Sequence, residues 1–271
     1  GRGVTATQPL QLGVRWDEPS QDVRLNRAFR AGLLDYVEAN YPITPGHPPQ
    51  VDSAIPIYVH CPVNPIASPQ GVNWRLAAQV REAAEQYRSP WVGEHLCWAG
   101  PGAEGRLGYI VTPLLSEEFQ KVAADNTRKL SDYYGRPVAL ELAPVYQHTG
   151  TIDSEVHFLS NVAEEADALI ILDVAHFTAS NRNLARPADF GLSTINPQRI
   201  VELHVAGIRP SGSGRHWHDS HDRVPEPAIL ELVQHLIRTL PALRAVTFEH
   251  AEESPESELV STLEALRRMM Q

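Results

Sequence analysis

The chain of 271 residues has few of the features that mark secreted, membrane or nucleic-acid-binding proteins. It contains two cysteines, Cys61 and Cys97, which argues against a disulfide framework and favours a reducing cytoplasm. No segment reaches the roughly 18 consecutive apolar residues of a membrane helix, so we expect no membrane attachment. The net charge is −10, and wholesale phosphate binding needs clustered Lys and Arg. Nucleic acid is therefore not the expected partner.

The length and the order of the predicted elements indicate one α/β domain. The chain is close to the ~250 residues of a (β/α)8 TIM barrel, and 42% of its residues are hydrophobic. Short runs that are apolar at nearly every position alternate with helical patterns, as in a parallel sheet that is covered on both faces. No linker or low-complexity segment interrupts them. We expect residues 1–271 to form a single TIM-barrel domain.

Six apolar runs end on a histidine or a carboxylate, and they recur at intervals of 31 to 46 residues. A strand, its crossover helix and two loops need roughly 30 or more residues. Each run is thus predicted to be a barrel strand with a polar residue at its carboxyl end, where the active sites of these barrels lie. The six residues are His60, His95, Glu141, Asp173, His204 and Glu249.

The remaining elements follow from periodicity and capping residues. Strands are predicted at Leu10–Arg15 and Tyr36–Glu38, and helices at Asn26–Leu34, Trp74–Gln86, Glu117–Tyr134, Ser154–Ala166, Pro227–Thr239 and Pro255–Met270. Two Gly-containing segments are predicted to be loops, namely Ala99–Leu107 and the long polar stretch Gly207–Pro225. The second could move as a lid over the site.

Three further residues complete a set with the composition of a metal centre. His176 follows Asp173 closely, and Asp219 and His221 lie in the long polar stretch. Imidazole and carboxylate without thiolate suit Fe, Mn or Zn, and two His with one carboxylate is the set of non-heme Fe(II) oxygenases. A single strand-end His is more often an ordinary polar residue. Nine such groups at one barrel mouth would leave uncompensated charge without metal, so we predict a metal centre.

Two segments make the sequence recognisable, His95-Leu96-Cys97-Trp98 and Asp219-Ser220-His221-Asp222. The chain resembles the multinuclear non-heme iron-dependent oxidases, a barrel family that includes the methanobactin-biosynthesis oxidase. That family is similar in fold to the xylose-isomerase-like and endonuclease IV barrels. The resemblance implies three ions, held by His60, His95 and Glu141, by Glu141, Asp173, His204 and Glu249, and by His176, Asp219 and His221. We assign Glu141, Asp173 and His204 to the catalytic centre.

The resemblance also implies a reaction. We expect an O2-using oxidase with two or three iron ions in mixed Fe(II)/Fe(III) states, which modifies a ribosomally made peptide at cysteine in natural-product biosynthesis. A small-molecule thiol is an alternative substrate. Members commonly work with a leader-peptide-binding partner, and no segment here is predicted to form that domain, so a separate partner protein is expected. Arg209 and Arg215 are predicted to hold an anionic group of the substrate, and Asn73 to contact it.

Two other classes of enzyme use the same ligand types. A trinuclear zinc phosphodiesterase of the endonuclease IV kind would use the same nine ligand types, but the acidic balance of the chain and its lack of a basic stripe speak against it. A sugar isomerase or epimerase needs only one or two ions and a base, so the third ligand group speaks against it. A non-catalytic metal-storage role is the remaining alternative.

Overall fold

The structure is a computed structural model that describes residues 8–43, 47–97, 114–142 and 148–271. The predicted loop Ala99–Leu107 and Trp98 of the recognised segment lie outside the described residues. The strands within the described ranges are β1 Gln11–Trp16, β2 Tyr36–Asn40, β3 Ile57–Cys61, β4 Val92–His95, β5 Val138–Glu141, β6 Leu169–Asp173, β7 Ile200–Val205, β8 Gly207–Pro210, β9 Trp217–Ser220 and β10 Ala245–Phe248. The helices there are α1 Asp22–Arg30, α2 Trp74–Tyr87, α3 Glu117–Tyr134, α4 Glu155–Ala166, α5 Val174–Asn183, α6 Pro227–Thr239 and α7 Glu256–Met269.

Eight of the strands close into a parallel barrel in the order β1-β10-β7-β6-β5-β4-β3-β2, which confirms the predicted (β/α)8 fold. Strands β8 and β9 form a separate antiparallel hairpin that follows β7. All carboxyl ends of the barrel strands therefore point to one face, and the hairpin stands at that face. Within the described ranges, every helix is too short or too polar to cross a bilayer.

The helices begin where the sequence supplies a capping side chain. Asn73 accepts a hydrogen bond from the Leu76 amide at the start of α2, and Ser116 and Ser154 cap α3 and α4 in the same way. Such caps satisfy amides that have no partner within the helix. Helix α3 ends at Gly135, whose φ of 64° lies in the left-handed region that glycine tolerates.

The inside of the barrel is layered because side chains alternate along each strand. Glu38, His60 and His204 point to the axis near the carboxyl ends, and Tyr36 and Tyr58 point to it two residues earlier on their strands. Glycines make room for two of these rings. A Cβ on Gly13 would overlap the Tyr36 ring, and a Cβ on Gly93 would overlap the His60 ring.

Three local elements differ from the prediction. Helix α1 begins at Asp22 rather than Asn26, since the Trp16 indole donates to the Asp22 carboxylate and fixes the chain there. Helix α5 was not predicted, and it starts directly after Asp173. The stretch predicted as a polar loop contains the β8–β9 hairpin, in which Gly207 faces Ser220 and Pro210 faces Trp217.

Candidate metal centre

The six strand-end residues of the sequence prediction come together at the carboxyl-end mouth of the barrel. His95 is the register partner of Glu141 across β4 and β5, and Asp173 is the partner of His204 across β6 and β7. All six are at most 5% exposed. Burial of so many titratable groups in one place is costly unless they are paired or bind metal. The six are His60, His95, Glu141, Asp173, His204 and Glu249.

Glu141 lies between two groups of these residues. Its Oε1 is 2.7 Å from His60 Nε2 and 2.9 Å from His95 Nε2. Its Oε2 is 2.9 Å from His204 Nδ1. Although burial opposes it, the His204 and His95 imidazoles hold the pKa of Glu141 well below its ordinary value. The carboxylate is thus ionised with its two oxygens directed to different imidazoles, which is the geometry a bridge between two ions requires.

Asp173, His204 and Glu249 form a second group that fits a cation. Glu249 Oε1 is 3.3 Å and Asp173 Oδ2 is 3.7 Å from His204 Nδ1. Within the described ranges, these two buried oxygens lack a hydrogen-bond donor. Burial raises the pKa of Asp173 to about 7, because the protein groups around it compensate its charge incompletely. A metal ion at this place would supply the missing positive charge.

The β8–β9 hairpin brings the third predicted group to the same mouth. Asp219 Oδ2 is 3.2 Å from His176 Nε2 and 3.0 Å from His221 Nε2. The His176 Nδ1 is 2.8 Å from the Leu142 carbonyl, so this nitrogen donates and Nε2 is the nitrogen that faces Asp219. His221 Nε2 is also 3.0 Å from Glu249 Oε2, which connects the third group to the second.

Hydrogen-bond partners outside the ligand cluster orient two of its imidazoles, those of His60 and His204, as in metal sites generally. The His60 Nδ1 lies 2.8 Å from Asn40 Oδ1, which leaves Nε2 with its lone pair toward Glu141. Burial, together with the nearby Arg15 cation, lowers the pKa of His60 to about 4. His60 is therefore neutral at physiological pH, the form that binds metal.

His204 is held by carboxylates that the sequence analysis did not single out. Its Nε2 lies 2.9 Å from Glu202 Oε2 and 2.9 Å from Glu38 Oε1. Both carboxylates face the inside of the barrel. Glu38 lies on β2, and Glu202 lies on β7 two residues before His204. A carboxylate in an apolar strand is the sequence signal for each: Glu38 ends the predicted strand Tyr36–Glu38, and Glu202 lies inside the run that ends on His204.

The position of Arg15 determines whether Glu38 can act as a metal ligand. Glu38, His60 and His204 are close enough together to hold an ion. However, Arg15 donates to Glu38 Oε1 from both Nε and Nη2, at 3.2 and 2.8 Å. Its Nη1 is also 3.3 Å from Glu249 Oε2. Two Arg15 nitrogens compensate the charge of Glu38, whereas Glu249 Oε1 has no hydrogen-bond donor among the described residues. The geometry therefore favours Glu38 as the group that orients His204 rather than as a ligand.

The three residues predicted to contact substrate lie in different surroundings. Arg209 is half-exposed, bonds His218 through Nε, and borders a cavity of about 310 Å³ together with Asp219 and His221. Arg215 is exposed near the tip of the hairpin. Asn73 is engaged as the cap of α2. Arg209 is the one of the three that shares a cavity with the metal centre, and the substrate roles stay predictions.

Sequence comparisons give one family and several more distant relatives. The model of a family described as "RiPP precursor modification enzyme MbnB/TglH/ChrH" matches residues 33–271. A UPF0276 protein of Anaeromyxobacter sp. (strain Fw109-5) is 28% identical over 214 residues, 76% of this chain and 74% of the relative. A UPF0276 protein of Haemophilus influenzae is 24% identical over 249 residues, 82% of this chain and 80% of the relative.

Solved structures with the same architecture are distant in sequence. A D-psicose 3-epimerase from Clostridium cellulolyticum H10 has a TM-score of 0.62 at 12% identity, covering 96% of this chain and 98% of that chain. A xylose isomerase-like TIM-barrel protein from Mycobacterium smegmatis in complex with magnesium has 0.59 at 14%, with 97% of each chain covered. Endonuclease IV from Thermus thermophilus has 0.57 at 13%, covering 96% and 98%. These similarities confirm the xylose-isomerase-like fold and say nothing of the reaction.

Proposed function

Because the chain belongs to the MbnB/TglH/ChrH family of RiPP precursor modification enzymes, we propose that it is an iron-dependent oxidase that uses O2 to modify a ribosomally made peptide. The family membership confirms the resemblance found in the sequence. The observation that carries the proposal is the position of Glu141, whose two oxygens face separate imidazoles within one buried cluster. A site of this kind suits chemistry that needs two adjacent ions, which lie about 3.5–4 Å apart in such centres.

The donor atoms around the cluster support iron. Imidazole nitrogens and carboxylate oxygens surround it, and neither cysteine is among the ligands predicted from the sequence. Two His with one carboxylate, as in His60, His95 and Glu141, is a ligand set that non-heme iron enzymes use and that leaves coordination positions open. Iron held there would supply one-electron chemistry with O2, which zinc and magnesium do not offer.

The residues of the chain would prepare the site in three ways. Asn40 and Leu142 fix which nitrogen of His60 and His176 faces the cluster. Glu202 and Glu38 accept the proton on His204 Nε2, which keeps Nδ1 directed to Asp173 and Glu249. Burial of the cluster excludes water and strengthens every charge interaction inside it.

The proposed substrate is a cysteine of the peptide, with a small-molecule thiol as the alternative. The cavity beside Asp219 and His221 gives the third ligand group contact with the surface, so a side chain could enter there. We also propose that a separate partner protein binds the leader part of the peptide.

The test begins with protein purified anaerobically from iron-supplied cells. Elemental analysis and Mössbauer spectroscopy should find two to three iron ions per chain, and O2 uptake should depend on a cysteine-containing precursor peptide but not on its Cys→Ser version. Protein that carries stoichiometric zinc and works without iron would overturn the proposal. Cleavage of abasic-site DNA or epimerisation of a ketose by the zinc form would then identify one of the alternative classes.

A further inference from the structure

Below the metal centre, the axis of the barrel is filled by oxidisable aromatic rings. Tyr36, Tyr58 and Trp91 lie there together with a few aliphatic residues. TIM barrels usually fill this space with Val, Ile and Leu. The rings fit because their neighbours are small, namely Gly13, Ala139 and Ala245. The departure from aliphatic packing calls for an explanation in terms of what these rings can do.

The rings are connected to the metal centre by two short hydrogen-bonded steps. The Trp91 Nε1 donates to Glu202 Oε1 at 2.9 Å. Glu202 Oε2 lies 2.9 Å from His204 Nε2. A second connection runs from the Tyr36 hydroxyl through Thr247 to the same Glu202, with distances of 2.5 and 2.7 Å. One carboxylate thus links the candidate ligand His204 to two redox-active side chains.

The other end of the aromatic cluster reaches solvent. The Tyr58 ring stacks on Tyr36 with centroids 4.1 Å apart and meets the edge of Trp91 at 5.4 Å. Tyr58 itself is half-buried. The Arg244 guanidinium covers the Trp91 ring from the exposed amino-end side of the barrel. Contacts are continuous from His204 to the face opposite the substrate entrance.

We propose that Trp91 and Tyr58 carry oxidising equivalents away from the metal centre to the amino-end face of the barrel when O2 reacts there without substrate. The inference rests on the proposed function, since it needs an oxidising iron centre. An enzyme that activates O2 beside buried imidazoles is protected by such a path. Without it, an oxidant that meets no substrate attacks the histidine ligands of the metal centre.

The electrons and protons balance along this path. Trp91 gives one electron toward the His204 end, which reduces the oxidised iron by one electron, and the indole keeps its proton in the hydrogen bond to Glu202 as a radical cation. Tyr58 then gives one electron to this radical cation, which restores neutral Trp91. The phenolic proton of Tyr58 passes to water. A thiol or ascorbate in solution finally reduces the tyrosyl radical, which regains a proton from water.

The test uses the iron-loaded protein and single Tyr58→Phe and Trp91→Phe variants. Each is mixed with O2 in the absence of peptide, freeze-quenched and examined by electron paramagnetic resonance, with ring-deuterated tyrosine to identify the radical. Wild-type protein should show a tyrosyl signal that narrows on deuteration, and both variants should lose it. Peptide mapping should then find several-fold more oxidation at His60, His95 and His204 in the variants.

Tyr133→Phe is the matched control, because Tyr133 packs on Trp74 outside the barrel and should leave both readouts unchanged. Equal melting temperatures of the metal-free variants exclude a loss of fold. If iron binds and consumes O2 but the signal survives in both variants, or ligand oxidation does not rise, the aromatic path is refuted and the oxidase stands. If iron-loaded protein consumes no O2 even with peptide, the proposed function has failed and the path falls with it.

Discussion

Gly93→Ala should damage the metal centre without removing any of its ligands. Gly93 faces the barrel axis on β4, and a Cβ there would overlap the ring of His60 and come within 3.0 Å of Ile171 Cδ1. The ring cannot swing aside freely, because its Nδ1 donates to Asn40 and the buried Glu141 carboxylate lies 2.7 Å from its Nε2. The backbone of Gly93 does not have a positive φ, so the substitution acts through overlap alone.

The size of the effect follows from two terms. Overpacking a dense core by a methyl group costs about 1–3 kcal/mol of folding free energy. Displacing the His60 ring also breaks the bonds that orient it, and losses of this kind lower metal affinity about 10–100-fold. We therefore expect both a modest fall in stability and a large fall in affinity at the His60 side of the centre.

The assay compares Gly93→Ala with Gly13→Ala. The second variant overlaps the Tyr36 ring deeper in the barrel and should cost similar stability, measured by urea unfolding of metal-free protein. Iron(II) affinity, measured anaerobically by competition with a chromophoric chelator, should fall in Gly93→Ala and stay near the wild-type value in Gly13→Ala. Equal affinities in the two variants would refute the placement of His60 as a metal ligand.

Three further predictions concern other parts of the centre. Glu141→Gln should reduce the metal content of two groups, whereas His221→Ala should empty the third alone; equal losses would contradict the bridge. Burial raises the pKa of Glu94 to about 8 in the folded protein. Metal-free protein should therefore lose folding free energy as the pH rises from the pKa that Glu94 has in the unfolded chain to about 8. Each unit of pKa difference contributes about 1.4 kcal/mol, so the total loss is at most several kcal/mol. Glu94→Gln should weaken that pH dependence in urea unfolding, because Asp173 and Glu202, whose pKa values burial raises to about 7 and about 8, also contribute to it; an unchanged slope would exclude Glu94 as a contributor. Arg209→Gln should lower kcat/KM on the peptide several-fold and Arg215→Gln should not, because only Arg209 borders the cavity; equal values for both would leave the hairpin without a substrate role.

The barrel could be predicted from the sequence because its signals are local. An apolar run with a polar last residue, such as Val138–Glu141, identifies both a strand and the side chain at its end. Helix α5 could not be predicted from the sequence, because Asp173 has two structural roles. It ends β6, and its carboxylate also accepts from the His176 amide to start the next helix. A strand pattern gives no sign of this second use.

The remaining features depend on contacts between distant segments. The β8–β9 hairpin is held by Asn183 of α5, which exchanges hydrogen bonds with the backbone of Trp217. No pairing pattern within 207–225 announces it. Glu38 and Glu202 likewise gain their roles only after the barrel closes and places His204 between them. Their sequence signal, a carboxylate in an apolar strand, does not reveal the partner.

The candidate ligands come from the ends of six barrel strands, from helix α5 and from the hairpin, so the donor atoms are far apart along the chain and meet only after closure. An unfolded chain offers isolated histidines and carboxylates, which bind a cation weakly. Metal binding therefore stabilises the closed barrel relative to the unfolded chain by almost its whole free energy, as mass action requires of a ligand that binds the native state. Closure of a barrel from non-local strand pairs is slow, and the complete set of donor atoms exists only once it is finished. A cell short of the metal would then hold this protein in an assembled but more easily opened form, with abundance that follows the metal supply.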